Sequence, residues 1–249
     1  MRNGLSLVMT AILMSAGVSS RAAEKSGDVS GQFLVDRGLG PAPPLLDGTA
    51  PAPRNVVVPD ERILVDPRTR GLANVFIYLL RAPAGRPQKP QAAAEPEVVI
   101  KIDQMRYQPH TALVRTNQKL RLISHSPEAH APHPRPIQNT VGVKLLQAPD
   151  KIGLAMEMTV AEPVPIEIGD DIHPWMRTWV LVSDHPYAAI TDNEGRFSIK
   201  GLPAGEHSFR VWHEATGFLE KTWKVTVTAG QQTVLPVYTV AADSLRPKD

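Results

Sequence analysis

Apolar positions along this chain either alternate with polar ones or run on unbroken, and nowhere hold a sustained 3.6-residue period. Asn74-Val75-Phe76-Ile77-Tyr78-Leu79-Leu80 is a continuous β-branched and aromatic run, which predicts a well-buried strand. Gln118 to Ile123, Arg196 to Lys200 and Ser208 to Trp212 alternate, which predicts strands with one polar face. Further strands are predicted at Ser30–Val35, Val98–Asp103, Leu113–Arg115, Val164–Ile168, Arg177–Ser183, Ala188–Thr191, Lys221–Thr228 and Thr233–Val240. Asn193-Glu194-Gly195 and Pro203-Ala204-Gly205 supply turn residues between them. Short strands at such spacing predict an all-β sandwich or barrel.

Two interruptions carry the chemistry. Asp170-Asp171-Ile172-His173-Pro174-Trp175-Met176 joins two predicted strands, and its spacing lets an imidazole and a thioether converge, with Asp170 as a further donor. The second is Ser124 to Pro136, which displays His125, His130 and His133 among Pro132, Pro134 and Pro136. Those prolines argue against ladder pairing, so the segment is expected to be a loop. Residues 137–163 read ambiguously, as a short helix or turn and then a strand near Ala155 to Val160. The adjacent carboxylates of Asp170 and Asp171 should point apart and not share a proton.

Composition narrows the chemistry. The chain has no cysteine, which excludes thiol nucleophiles, zinc ribbons, iron–sulfur clusters and a thiolate-ligated copper centre. Arg2, the apolar run from Leu5 to Val18 and the small residues up to Ala22 predict a signal peptide over 1–22. Its removal takes away Arg2 and Arg21 and no acid, so the 27 basic and 25 acidic residues become equal in number. A neutral chain offers no electrostatic footprint for nucleic acid. No Gly-x-Ser-x-Gly, His-Glu-x-x-His or phosphate-cradling glycine loop occurs, so a non-enzymatic protein is expected.

Gly71 to Leu79, Tyr107-Gln108-Pro109-His110, the histidine-rich loop, Asp171 to Met176, His185 to Thr191 and Leu202 to Glu214 together resemble an exported bacterial cupredoxin-like family. The likeness spans roughly residues 65–215, and from Thr191 onward the chain is also similar to carboxypeptidase-regulatory-like β modules. It implies a cupredoxin-like Greek-key β-sandwich with a C-terminal carboxypeptidase-regulatory-like β-sandwich portion. The implied organisation is a signal peptide at 1–22, an N-terminal strand and Pro-rich segment at 23–62, a cupredoxin-like sandwich at 63–186 and the second portion at 187–249.

The resemblance also implies copper ligation through His130, His173 and Met176, with Asp170 where relatives carry cysteine. Ala131 stands where the family tends to have asparagine, and Arg106 where relatives often have a further cysteine. Without a thiolate the candidate cofactor is copper in a type 2-like site, or zinc, held by His130, Asp170, His173 and Met176 with His133 as a candidate extra ligand. The expected function is that of a periplasmic or secreted binding or structural protein without a blue-copper centre. Two alternatives stand beside it: a Cu(II)/Zn(II) carrier or redox partner, and a carbohydrate-binding accessory module that uses Trp175. Expected partners are an envelope protein or a polysaccharide, with no nucleic acid. His110 is expected to be structural, His185 to be a packed corner, and His213 and Glu214 to be hydrogen-bonded core or edge residues, with an imidazole oriented by the carboxylate as the alternative.

Overall fold

The computed structural model describes residues 26–40, 42–47, 56–83 and 95–245. The expected signal peptide lies outside them. Among the described residues no helix is long and apolar enough to cross a membrane.

The architecture is all-β, with four four-stranded sheets and a small two-stranded one. In the first sheet Ser26–Val35 lies antiparallel to Arg196–Pro203 and parallel to Gln232–Val234 and Tyr238–Val240. The second runs in the order Ala188–Ile190, Phe76–Leu79, Gly205–His213, Gly217–Val227. The third runs Thr111–Arg115, Arg177–Ser183, Ile166–Asp170, Pro132–Pro134, and the fourth Asp150–Glu157, Lys119–Ser124, Glu97–Asp103, Arg106–Gln108.

Three apolar layers hold the sheets face to face. Val29, Phe33, Ile77, Phe209 and Val225 meet between the first and second sheets. Phe76, Tyr78 and Trp212 meet Leu113, Trp179 and Leu181 between the second and third. Ile100, Ile102, Leu120 and Leu122 meet Ile166, Ile168, Val180 and Val182 between the third and fourth. Phe76–Leu79 is buried at every position because successive side chains enter different layers, which explains its unbroken apolar run. Arg177–Ser183 uses the same device, sending Trp179 and Leu181 one way and Val180 and Val182 the other.

Several expectations need correcting or completing. The sequence reading groups Phe76–Leu79 with residues 63–186, yet its sheet partners are Ala188–Ile190 and Gly205–His213. The first and second sheets therefore draw strands from both ends of the chain. Pro132–Pro134 is a strand and not a loop. It pairs with Ile168, Gly169 and Asp170 at a sheet edge, where a missing amide donor interrupts no inner ladder. The ambiguous 137–163 segment contributes the strand Asp150–Glu157 and no helix.

His213 and Glu214 are hydrogen-bonded to different partners. His213 is fully buried and accepts the Ala215 amide at Nδ1, whereas Glu214 bonds His110 and accepts from Trp179 Nε1 at 2.9 Å. His185 is the packed corner expected of it. Its Nε2 meets the Leu79 carbonyl at 3.0 Å and its Nδ1 accepts the Tyr187 amide at 3.2 Å.

The turn before Arg196–Pro203 depends on one glycine. Gly195 has φ +77°, and a Cβ there would stand 2.1 Å from the Phe33 carbonyl oxygen.

Candidate metal centre

Strand Ile166–Asp170 ends by delivering Asp170 inward, below the loop that follows. Asp170 Oδ1 accepts the amides of Ile172 and His173, each at 2.9 Å, which turns the chain sharply back on itself. The Met176 amide closes the loop on the His173 carbonyl at 2.9 Å. The imidazole of His173 is thereby carried over the carboxylate that holds its own backbone, with Nδ1 3.4 Å from Asp170 Oδ1.

His130 arrives from the other side, just before the edge strand Pro132–Pro134. Its backbone exchanges two hydrogen bonds with Leu146, at 2.9 and 2.8 Å, so its position does not depend on the ring's contacts. The ring lies 4.8 Å from that of His173, and its Nδ1 lies 3.1 Å from Asp170 Oδ2. Ligand atoms of His130, Asp170 and His173 thus all lie within 4.8 Å of one another. Exposures of 0%, 4% and 8% make this a closed cluster.

The electrostatics favour the deprotonated donors that a metal needs. Burial opposes ionisation of Asp170. The His130 hydrogen bond and the two loop amides more than offset it and hold the carboxyl below its ordinary range. Burial pushes His173 down toward the neutral imidazole, and Asp170 counters this only in part.

The donor set fits a divalent ion. Tetrahedral sites with N and O bonds near 2.0–2.2 Å have ligand atoms about 3.3 Å apart. The imidazole–carboxylate separations are of that order, 3.1 Å from His130 Nδ1 to Oδ2 and 3.4 Å from His173 Nδ1 to Oδ1, on the two different oxygens of Asp170. His173 Nδ1 and His130 Nε2 are buried without hydrogen-bond partners, and a bound cation would satisfy the first.

Other candidates fall around this cluster. Met176 is buried in the layer between the third and fourth sheets and, with Trp175, Glu61 and His110, lines a cavity of about 20 Å³. His133 stands outside the cluster: its Nδ1 meets the Asp171 carboxylate at 2.9 and 3.1 Å on the exposed side. Asp170 and Asp171 do point apart, one to the buried histidines and the other to His133. Trp175 is half-buried and sets its ring against that of His173 at 5.3 Å, interplanar angle 66°, so it walls the site. Tyr107, which sequence reasoning missed, donates to the Gly169 carbonyl at 3.0 Å and braces the strand end that carries Asp170. Only its burial in the alternating strand Arg106–Gln108 could have signalled it.

No family profile matches the chain, and no curated protein sequence matches it. Solved structures similar to it include amicyanin variants and a Cu-containing nitrite reductase. An oxidised variant of amicyanin is 19% identical, with 39% of this chain and 94% of that one covered at a TM-score of 0.31. A reduced amicyanin variant is 17% identical, with 44% and 99% covered at 0.31. A Cu-containing nitrite reductase from Thermus scotoductus SA-01 is 13% identical, with 37% of this chain and 25% of that one covered at 0.31. Scores of this size assign nothing to this chain, and its fold rests on the strand pairing above.

Proposed function

We propose that this chain is an exported, cupredoxin-like metal-binding protein that holds Cu(II) or Zn(II) through His130, Asp170 and His173 and lacks a blue-copper centre. The observation that carries this reading is the buried convergence of the three donors within 4.8 Å, with His173 Nδ1 left without a partner. The parallel pairings of Thr111–Arg115 with Arg177–Ser183 and of Glu97–Asp103 with Lys119–Ser124 support the cupredoxin-like assignment of the third and fourth sheets. We read the first and second sheets, built from both ends of the chain, as the carboxypeptidase-regulatory-like sandwich into which the other is inserted.

Imidazole and carboxylate donors suit divalent copper and zinc, and the absence of cysteine removes the short Cu–thiolate bond of blue sites. A bound ion would supply a fixed divalent charge and the cross-link between the two loops. With all three donors buried, storage, transfer or structural bracing fits better than turnover of a substrate. His130 and His173 would present neutral nitrogens, and Asp170 would keep both its loop amides and its negative charge.

One observation favours a second reading. Asp170 already joins the 170–176 loop to His130 by hydrogen bonds alone, so the cluster is able to brace the sandwich end without a metal. Calorimetric titration of Zn(II) and Cu(II) into the purified protein and a His173→Ala variant separates the two. Dissociation constants of about 1 μM or tighter in the wild type, weakened at least about a hundredfold in the variant, support the metal reading. Equal isotherms support bracing.

A further inference from the structure

A cleft of about 380 Å³ opens where strand Phe76–Leu79 leaves the second sheet. Arg81, Arg210 and Lys221 line it, together with the hydroxyl-bearing Ser208 and Thr222, and Glu206 is its one acid. Glu206 is already engaged, since its Oε1 pairs with Lys224 Nζ at 3.2 Å. Among the described residues no ion pair joins a carboxylate to Arg81, Arg210 or Lys221, although the chain's formal charges nearly balance.

Two of these cations crowd one ring. The Arg210 guanidinium carbon lies 5.4 Å and Lys221 Nζ 5.7 Å from the centroid of Phe218. Arg210 is also fixed from behind, because Nη1 donates to the Pro163 carbonyl at 2.9 Å, the same oxygen that accepts from Tyr78 at 3.0 Å. A guanidinium anchored in this way keeps further N–H groups for a ligand and loses little freedom on binding. Three cations that line one cleft without a carboxylate partner favour an anion seated among them.

From this we infer that the cleft is an anion site for a dianionic phosphate-type oxyanion, either free or as a phosphate ester. Arg210 supplies a preorganised fork, Arg81 and Lys221 supply charge, and Ser208 and Thr222 supply neutral donors. The planar guanidinium matches two oxygens of a tetrahedral anion, and three cations suit a dianion better than a monocarboxylate. This site shares no residue with the His130–Asp170–His173 cluster.

The test is calorimetric titration at fixed ionic strength with inorganic phosphate, with glycerol phosphate and with acetate as the monoanion control. Wild type, Arg210→Gln, Lys221→Gln and, as a charge-loss control on the exposed face of strand Glu97–Asp103, Lys101→Gln proteins are compared, with circular dichroism to confirm folding. Phosphate or its ester should bind in the range of about 1 mM or tighter, acetate at least about tenfold more weakly, and each cleft variant should lose about tenfold. Lys101→Gln should bind as the wild type does. Tighter binding of inorganic phosphate identifies a free-ion site, and tighter binding of the ester identifies a phosphate carried on a larger molecule. Binding weaker than about 10 mM, equal binding of acetate, or equal affinity in a folded Lys221→Gln protein overturns the inference.

Discussion

Asp170 Oδ2 lies 3.1 Å from His130 Nδ1 while the other oxygen of the same carboxylate holds the amides of Ile172 and His173. One side chain therefore ties the edge of the third sheet to the loop that carries the second histidine. It braces the loop against the sheet edge by hydrogen bonds alone.

Introducing a thiolate at position 170 should introduce colour. Asp170→Cys places a thiolate between two imidazoles, a donor set that gives an intense charge-transfer band with Cu(II). The visible spectrum of the copper-loaded variant should show that band, and the wild type should not. A colourless Asp170→Cys protein that still binds copper would mean that the three positions do not share one metal.

Removing the carboxylate should cost stability with or without metal. Asp170→Ala leaves the His130 Nδ1 and two loop amides without their acceptor inside a closed site, a loss of about 3 kcal/mol. Urea unfolding of metal-free protein measures it, and a change below about 0.5 kcal/mol would contradict the bracing role.

The stability of the fold should fall in mild acid because of His213. Burial is the main cause that lowers its pKa to about 4, with His110 acting in the same direction and Glu214 opposing. Between the unfolded value of about 6.5 and the folded value of about 4, the unfolded chain binds the proton and the folded one does not. Stability contributed by the neutral ring is thus present above pH 6.5 and is lost toward pH 4, by up to about 3 kcal/mol. His213→Gln should flatten the dependence of the urea midpoint on pH between 7 and 5, and an unchanged slope would count against it.

The sandwiches should melt together. Trp212 packs against Trp179 at 4.7 Å and against Phe76 at 5.7 Å in the layer shared by the second and third sheets. Trp212→Ala should cost about 4 kcal/mol and split a single calorimetric transition into two. A single transition in the variant would show that the remaining contacts keep the two cooperative.

Much of this was legible in the chain, and the failures have physical reasons. Asp170, His173 and Met176 sit on one short loop, so spacing alone brought them into view, and the fully apolar Phe76–Leu79 run announced a well-buried strand. Periodicity states which faces are buried but not against which sheet. For that reason the pairing of Phe76 with Trp212 was hidden. The strand at Pro132–Pro134 was hidden because proline is excluded from inner ladders and not from edges. His133 was grouped with His130 by proximity in sequence, but alternation along the strand turns the two side chains to different sides, one to Asp171 and one to Asp170.

The measurement that tests the central claim most directly is nitrogen-15 NMR of the eight histidine rings during titration with Zn(II). The account predicts that the Nδ1 signals of His130 and His173 shift together at one equivalent of metal, while His125, His133 and His207 stay in place. Shifts confined to those other histidines, or none until metal is in large excess, would contradict it.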